Sequence, residues 1–260
     1  MSDKRTGCSR RGFLRGLAGA GGLLTLWRGL ADSEGSSASP KANGKGPEAA
    51  RHVQYGMLID LARCIGCGHC VQACKMENDV PHEPTTFRTW VERYVLKARH
   101  TVVVDSPNGG IDGFPGSVPA ADMLRSFFVP KLCNHCERAP CVQVCPVGAT
   151  FATPEGAVVV DREYCVGCRY CIQACPYGGR YFHPEYHVAD KCTFCYHRVT
   201  RGLRPACVEV CPRKVRIFGD IADAGSPISR LLHRHPIQVL KPTLNTEPRV
   251  YYLNLDKEVR

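Results

Sequence analysis

Cys165, Cys168 and Cys171 stand at every third position of CVGCRYCIQACP, with Cys175 four residues on and Pro176 directly after it. Thiolates in this pattern bind iron–sulfur cubes. Three sulfurs on one tight loop hold three irons of a cube, while the fourth lies one helical turn beyond, roughly 6 Å further on, and points past it to a second cube. The proline stops the short helix, because it disfavours the helical region for the residue before it. The run occurs four times. Cys64, Cys67, Cys70 and Cys74 repeat the spacing without the proline. Cys133, Cys136, Cys141 and Cys145 add two residues in the second gap, and Cys192, Cys195, Cys207 and Cys211 carry a longer insertion there. Of 17 cysteines only Cys8 is left over, so the count matches four thiolates for each of four 4Fe-4S clusters.

Two other thiolate chemistries compete with this one. Zinc also takes four thiolates, and Cys192 and Cys195 with Cys207 could alone form a zinc knuckle. Structural zinc sites are usually built from two Cys-x-x-Cys pairs, whereas a third cysteine at the same interval followed by x-x-x-Cys-Pro wraps a cube. A disulfide framework would suit an exported chain, but it needs no regular spacing and belongs mostly to much smaller domains. Metal content separates these readings.

His69, His135 and His197 lie inside the runs. Each run already has four thiolates, so these rings are expected to pack or hydrogen-bond, and to adjust potential through contacts to sulfur. Arg63, Lys75, Arg138, Arg162, Arg169 and Lys191 flank the runs, either as an ordinary solvated face or as cations that raise cluster potentials. No nucleophile–base pair, P-loop or dinucleotide fingerprint is present. No catalytic residue is assigned, and the chain is expected to be non-catalytic.

Residues 1–31 begin basic (Lys4, Arg5), continue as SRRGFLR with Arg10 and Arg11 adjacent, and end in a Gly/Ala/Leu stretch from Leu17 to Trp27. Those eleven moderately apolar residues are too few to span a bilayer. The segment is similar to a twin-arginine signal peptide, with cleavage expected after Ala31, so that Cys8 leaves with the peptide. Export in the folded state suits clusters that must be assembled before the chain meets an oxidising compartment. Residues 32–51, rich in Ser, Gly, Ala, Pro and Lys, read as a flexible linker.

The formal net charge of +10 misleads if taken whole. Residues 1–31 hold six basic side chains against one acid, which leaves the remainder at about +5. Four oxidised clusters with their thiolates add about −8, bringing the loaded protein to about −3. Nucleic-acid binding is therefore not expected.

From Gln54 the chain alternates short elements. YGMLIDLARC reads as a strand entering the first cysteine loop, with a helix over Val71–Glu77 behind it. Thr89 to Val104 reads as a hairpin with Trp90 and Tyr94 as core aromatics, and residues 105–122 as a loop or insertion. Pro154, Glu155 and Gly156 make a turn before a short buried strand from Ala157 to Asp161. Strand, cysteine loop and short helix, repeated, predict an α+β fold of ferredoxin type in which cluster ligation is coupled to folding.

The phrases YGMLIDLARCIGCGHCVQACKMENDVP, TWVERY, KLCNHCERAPCVQVCPVGAT and VLKPTLNTEPRVYYLNLD carry a likeness to a known family. Residues 54–260 resemble the four-cluster iron–sulfur subunits of molybdopterin (DMSO reductase-type) oxidoreductases. That group includes dimethyl sulfoxide, polysulfide, thiosulfate and tetrathionate reductases, formate dehydrogenases and NrfC-type proteins. The likeness is greatest to tetrathionate- and polysulfide-type members.

The resemblance implies two nested bacterial-type dicluster ferredoxin modules. The outer one comprises residues 52–124 and 184–222, with 105–122 as its insertion; the inner one comprises 125–183; and 223–260 is a partner-contacting tail. It also implies ligand sets. Cys64, Cys67, Cys70 and Cys211 would hold cluster 1, and Cys74, Cys192, Cys195 and Cys207 cluster 2. Cys133, Cys136, Cys141 and Cys175 would hold cluster 3, and Cys145, Cys165, Cys168 and Cys171 cluster 4. The implied role is electron transfer between a polytopic quinone-binding membrane subunit and a molybdopterin catalytic subunit, in a periplasmic respiratory complex acting on a sulfur compound. No apolar segment of membrane length follows Cys211, so attachment to the membrane would come through a partner. The alternative is a free periplasmic polyferredoxin. Apolar clusters such as VYYLNL near the C-terminus disfavour it, and copurification separates the two.

Overall fold

The computed structural model describes residues 52–98, 101–116 and 119–259; the expected signal peptide with Cys8 and the whole of the expected linker, residues 32–51, lie outside them. Strand β1 (Tyr55–Asp60) is central to the first sheet, and Met57, Leu58 and Ile59 are fully buried, as a strand covered on both faces requires. It is flanked by antiparallel β9 (Arg216–Asp220) and parallel β10 (Val250–Leu253), with Leu58 opposite both Ile217 and Tyr251. Met57, Ile59, Val250 and Tyr252 enter the main core. On the other face Leu58 packs with Leu253 and with Ile228 of α6 (Pro227–Arg234). Residues 223–260, read from sequence as a tail on a partner, thus supply a helix and a strand of the fold itself.

The second sheet runs β3 (Val102–Asp105), β2 (Thr89–Lys97), β4 (Met123–Leu132). The expected hairpin is β2–β3. Tyr94 is buried and stacks on Phe127 with centroids 5.4 Å apart, whereas Trp90 is only half-buried and donates Nε1–H to Glu92 at 2.7 Å. Strand β4 pairs with β2 along its length and crosses the module boundary expected at residues 124/125. It was hidden by Pro130, which an edge strand tolerates. Two hairpins, β5 (Thr150–Ala152) with β6 (Val158–Val160) and β7 (Arg180–Phe182) with β8 (Ala189–Lys191), complete the sheets.

The helices inside the runs are α1 (His69–Glu77), α2 (Pro140–Gln143), α3 (Tyr170–Gln173), α4 (Tyr196–Val199) and α5 (Ala206–Glu209). Pro146, Pro176 and Pro212 follow the fourth cysteine of three runs, and α2, α3 and α5 stop before it. The first run has no such proline, and α1 continues past Cys74 to Glu77. Its start lies two residues before the expected Val71, because Gly68 at φ +70° serves as the N-cap. A Cβ on Gly68 would lie 2.3 Å from the Gly110 carbonyl, so the loop after β3 packs directly on the first cysteine loop.

Asp190 of β8 joins distant segments. It accepts hydrogen bonds from Arg88 and Tyr181, each at 2.8 Å, and from Arg162 at 3.2 Å. Burial raises its carboxyl, but Arg88, the Tyr181 hydroxyl and the Lys191 N–H together outweigh burial and hold it below the usual carboxylate range. Asp190→Ala leaves the Arg88 guanidinium buried without its partner. It is expected to cost about 3–5 kcal/mol, read as a lower thermal midpoint for bleaching of the cluster absorbance.

Candidate functional site

The sixteen cysteines of the four runs are free thiols. The fold gathers them in groups that mix runs. Cys64, Cys67 and Cys70 share a recess with Cys211, and Cys192, Cys195 and Cys207 share another with Cys74. Cys136 lies within electrostatic reach of Cys133, Cys141 and Cys175, and Cys171 within reach of Cys165 and Cys145, with Cys168 on the same loop. The groups follow one another in a row. Cys70 of the first faces Cys207 of the second, Cys192 of the second faces Cys133 of the third, and Cys141 and Cys171 share one core cluster. Burial pushes Cys64 and Cys207 up to about 11, and Cys136 and Cys192 up to about 12. Such thiols become thiolates only when a cation binds them.

One local device repeats in all four loops. The residue two after the first cysteine is left-handed: Gly66 (φ +70°), His135 (+43°), Gly167 (+69°) and Phe194 (+55°). The turn brings backbone N–H groups to sulfur, with His135 donating to Cys133 Sγ and Phe194 to Cys192 Sγ, both at 3.4 Å. Glycine is needed twice for space as well. A Cβ would stand 2.4 Å from the Phe128 ring at Gly66 and 2.6 Å from the His187 carbonyl at Gly167. In the other two loops the side chains stack on each other, His135 on Phe194 with centroids 3.5 Å apart. Burial keeps His135 well below its usual range, hence neutral, and its Nδ1 accepts from the Val158 N–H at 3.0 Å. His69 is exposed and His197 pairs with Glu77 at 2.7 Å on the surface. Cys145 is the exception among the thiols. Burial raises it, but the N–H groups of Thr150, Val147, Ala149 and Gly148 together bring it below its ordinary value.

The flanking cations divide. Arg63 is exposed, Lys75 donates to the carbonyls of Pro81 and Glu83, Arg138 pairs with Glu247, Arg162 with Asp190, and Arg169 lies 3.8 Å over the Phe182 ring. Lys191 is the fully buried one, its amine donating to the Val158 and Cys192 carbonyls. Sequence reasoning missed Arg88, Arg180 and Arg216, all buried. A signal was available. Arg180 and Arg216 each stand five residues after the fourth cysteine of a run and open a strand, as Thr150 does after Cys145.

The donor set fits 4Fe-4S clusters. Arg216 donates to Thr89 Oγ1 at 2.8 Å and to Cys70 Sγ at 3.4 Å, and Arg180 to Thr150 Oγ1 at 3.3 Å. Arg216 Nη1 and Arg180 Nε and Nη2 are buried without a partner. Such guanidinium groups call for an anion alongside, and a cube with four thiolates supplies one. No helix of the described residues is long and apolar enough to cross a membrane.

Comparison with known proteins agrees with this geometry. Two family models, each described as a 4Fe-4S dicluster domain, match residues 63–149 and 124–221. The chain is 44% identical over 256 residues to a tetrathionate reductase subunit of Salmonella typhimurium, covering 95% of this chain and 89% of the relative. It is 40% identical over 245 residues to protein NrfC of Escherichia coli, covering 94% of each. It is also 40% identical over 220 residues to a putative dimethyl sulfoxide reductase iron-sulfur subunit of Halobacterium salinarum, covering 78% and 79%. Identity at this level over nearly the whole length, on a frame of sixteen cysteines, means that the chain belongs to the four-cluster 4Fe-4S family of iron–sulfur electron-transfer subunits of reductase complexes.

Proposed function

We propose that this chain carries electrons singly between a quinone-linked membrane subunit and a molybdopterin catalytic subunit of a periplasmic respiratory oxidoreductase acting on a sulfur compound. It makes and breaks no substrate bonds itself. The ligand sets we propose are Cys64, Cys67, Cys70 and Cys211; Cys74, Cys192, Cys195 and Cys207; Cys133, Cys136, Cys141 and Cys175; and Cys145, Cys165, Cys168 and Cys171. When bound, 4Fe-4S clusters supply one-electron chemistry. The protein holds them in a row, excludes water from the middle and opens the ends.

The observation that carries the reading is this polarity of exposure. Cys67 and Cys168 are the two exposed cysteines among the described residues, one in each terminal group. Beside them Ile65 is 54% and Val166 65% exposed, at matching positions of the two loops, with Tyr164 and Tyr170 also open. A free carrier would have little use for apolar side chains at both ends, whereas docked subunits cover them. The tetrathionate reductase relative supports the sulfur-compound reading. Residues 1–31 support export by the twin-arginine route, and we propose two modules, residues 52–124 with 184–222 enclosing 125–183, joined by β4, which crosses their boundary.

The test is iron, sulfide and zinc content of protein purified in mild detergent, with reductive EPR and identification of copurifying chains. About sixteen irons per chain, interacting cluster signals and a molybdenum-containing partner are expected. Four clusters without partners would favour the free polyferredoxin, and zinc in place of iron would overturn the reading.

A further inference from the structure

We propose that Arg216, Lys191 and Arg180 are junction cations, one between each neighbouring pair of cluster sites, and that each raises the reduction potential of both clusters it separates. The inference rests on the ligand sets proposed above.

The three side chains occupy equivalent places along the row. Arg216 donates through Nη2 to Cys70 of the first set and lies against Cys207 of the second. The Lys191 charge bears on Cys192 of the second set and Cys141 of the third. Arg180 lies against Cys141 and Cys133 of the third set and Cys171 of the fourth. Their exposures are 2%, 0% and 5%. Thr89, Thr150 and backbone carbonyls orient them, and among the described residues no carboxylate pairs with any of the three. Arg88 is the instructive contrast. It is equally buried and within reach of Cys74, but Asp190 at 2.8 Å neutralises it.

The physical consequence follows from charge. Reduction adds one negative charge to a cluster, and a fixed cation beside it favours the reduced form. In a dry interior the effect is large for the two clusters in contact and falls off with distance. A cation shared by two sites also offsets the repulsion between electrons on neighbouring clusters. Because the charge of each cation acts on two sites, removing one must move two potentials together. A residue that only packs would not leave that signature.

The experiment is a redox titration followed by EPR on holoprotein carrying Arg216→Gln, Lys191→Gln or Arg180→Gln, with iron measured on every sample. Each variant is expected to lower two of the four midpoints, by roughly tenfold in the reduction equilibrium, which is about 59 mV for one electron. The pair lowered by Arg216→Gln and the pair lowered by Arg180→Gln share no cluster, and Lys191→Gln lowers one member of each. Fully loaded variants with unchanged midpoints, or with all four midpoints moving together, would overturn the proposal. Wild-type protein with fewer than four clusters would instead indict the ligand sets. Arg216→Lys keeps the charge and is expected to keep all four midpoints. If it shifts two of them as glutamine does, packing and not charge is responsible and the proposal falls, even where Arg216→Gln loads poorly.

Discussion

Cys175→Ser is expected to empty the cluster held by Cys133, Cys136 and Cys141 and to leave the one held by its own loop intact. Iron should fall by a quarter, from about sixteen to about twelve per chain. The reason is positional. Cys175 follows α3 by two residues and meets Cys136, while Cys171 at the other end of that turn meets Cys165 and Cys145. The reciprocal variant, Cys145→Ser, should empty the other member of the pair. Electron flow through the complex should collapse in both, because the row then has a gap one cluster wide. Iron analysis with EPR of the reduced protein reads the outcome, and loss confined to the cluster of Cys165, Cys168 and Cys171 in Cys175→Ser would sink the pairing.

Stopping the chain after Arg249 is expected to prevent accumulation of cluster-loaded protein. It removes β10, which is hydrogen-bonded along β1 and buries Val250 and Tyr252 completely and most of Leu253. Tyr252→Ala alone should cost about 3–5 kcal/mol by leaving a cavity in the main core. The whole strand exceeds what a domain stable by about 5–15 kcal/mol can lose. Tyr252→Phe gives the graded control. It deletes only the hydroxyl that donates to the Pro130 carbonyl at 3.2 Å, worth about 1 kcal/mol. Soluble yield and the thermal midpoint of cluster bleaching are the measurements. A truncated chain that still loads four clusters would show that β10 is dispensable.

The chemistry was more legible in this chain than the architecture. Cys-x-x-Cys-x-x-Cys spacing is a property of one loop, so it can be read without knowing where the loop lies, and the same holds for Pro146, Pro176 and Pro212 ending helices and for the hairpin after Thr89. Strand β4 escaped because proline within an apolar run argues against a strand unless its edge position is known. Strand β10 escaped because its partner lies about 190 residues away, and parallel pairing has no local turn to announce it. The buried arginines escaped for a third reason: the five-residue interval after a fourth cysteine marks the positions of Arg180 and Arg216 but not their burial, and Arg88, just before β2, has no such marker.

By itself, then, the sequence determined the thiolate count, the kind of cofactor and the α+β succession of strand, loop and short helix, since each depends on residues within a few positions of one another. Only the tertiary structure decided that Pro130 sits in an edge strand, that the C-terminal segment completes the central sheet, and that Arg216, Lys191 and Arg180 stand without a carboxylate partner between neighbouring groups of sulfur. Burial and electrostatics act through space, and residues far apart in the chain meet there only after the backbone has folded.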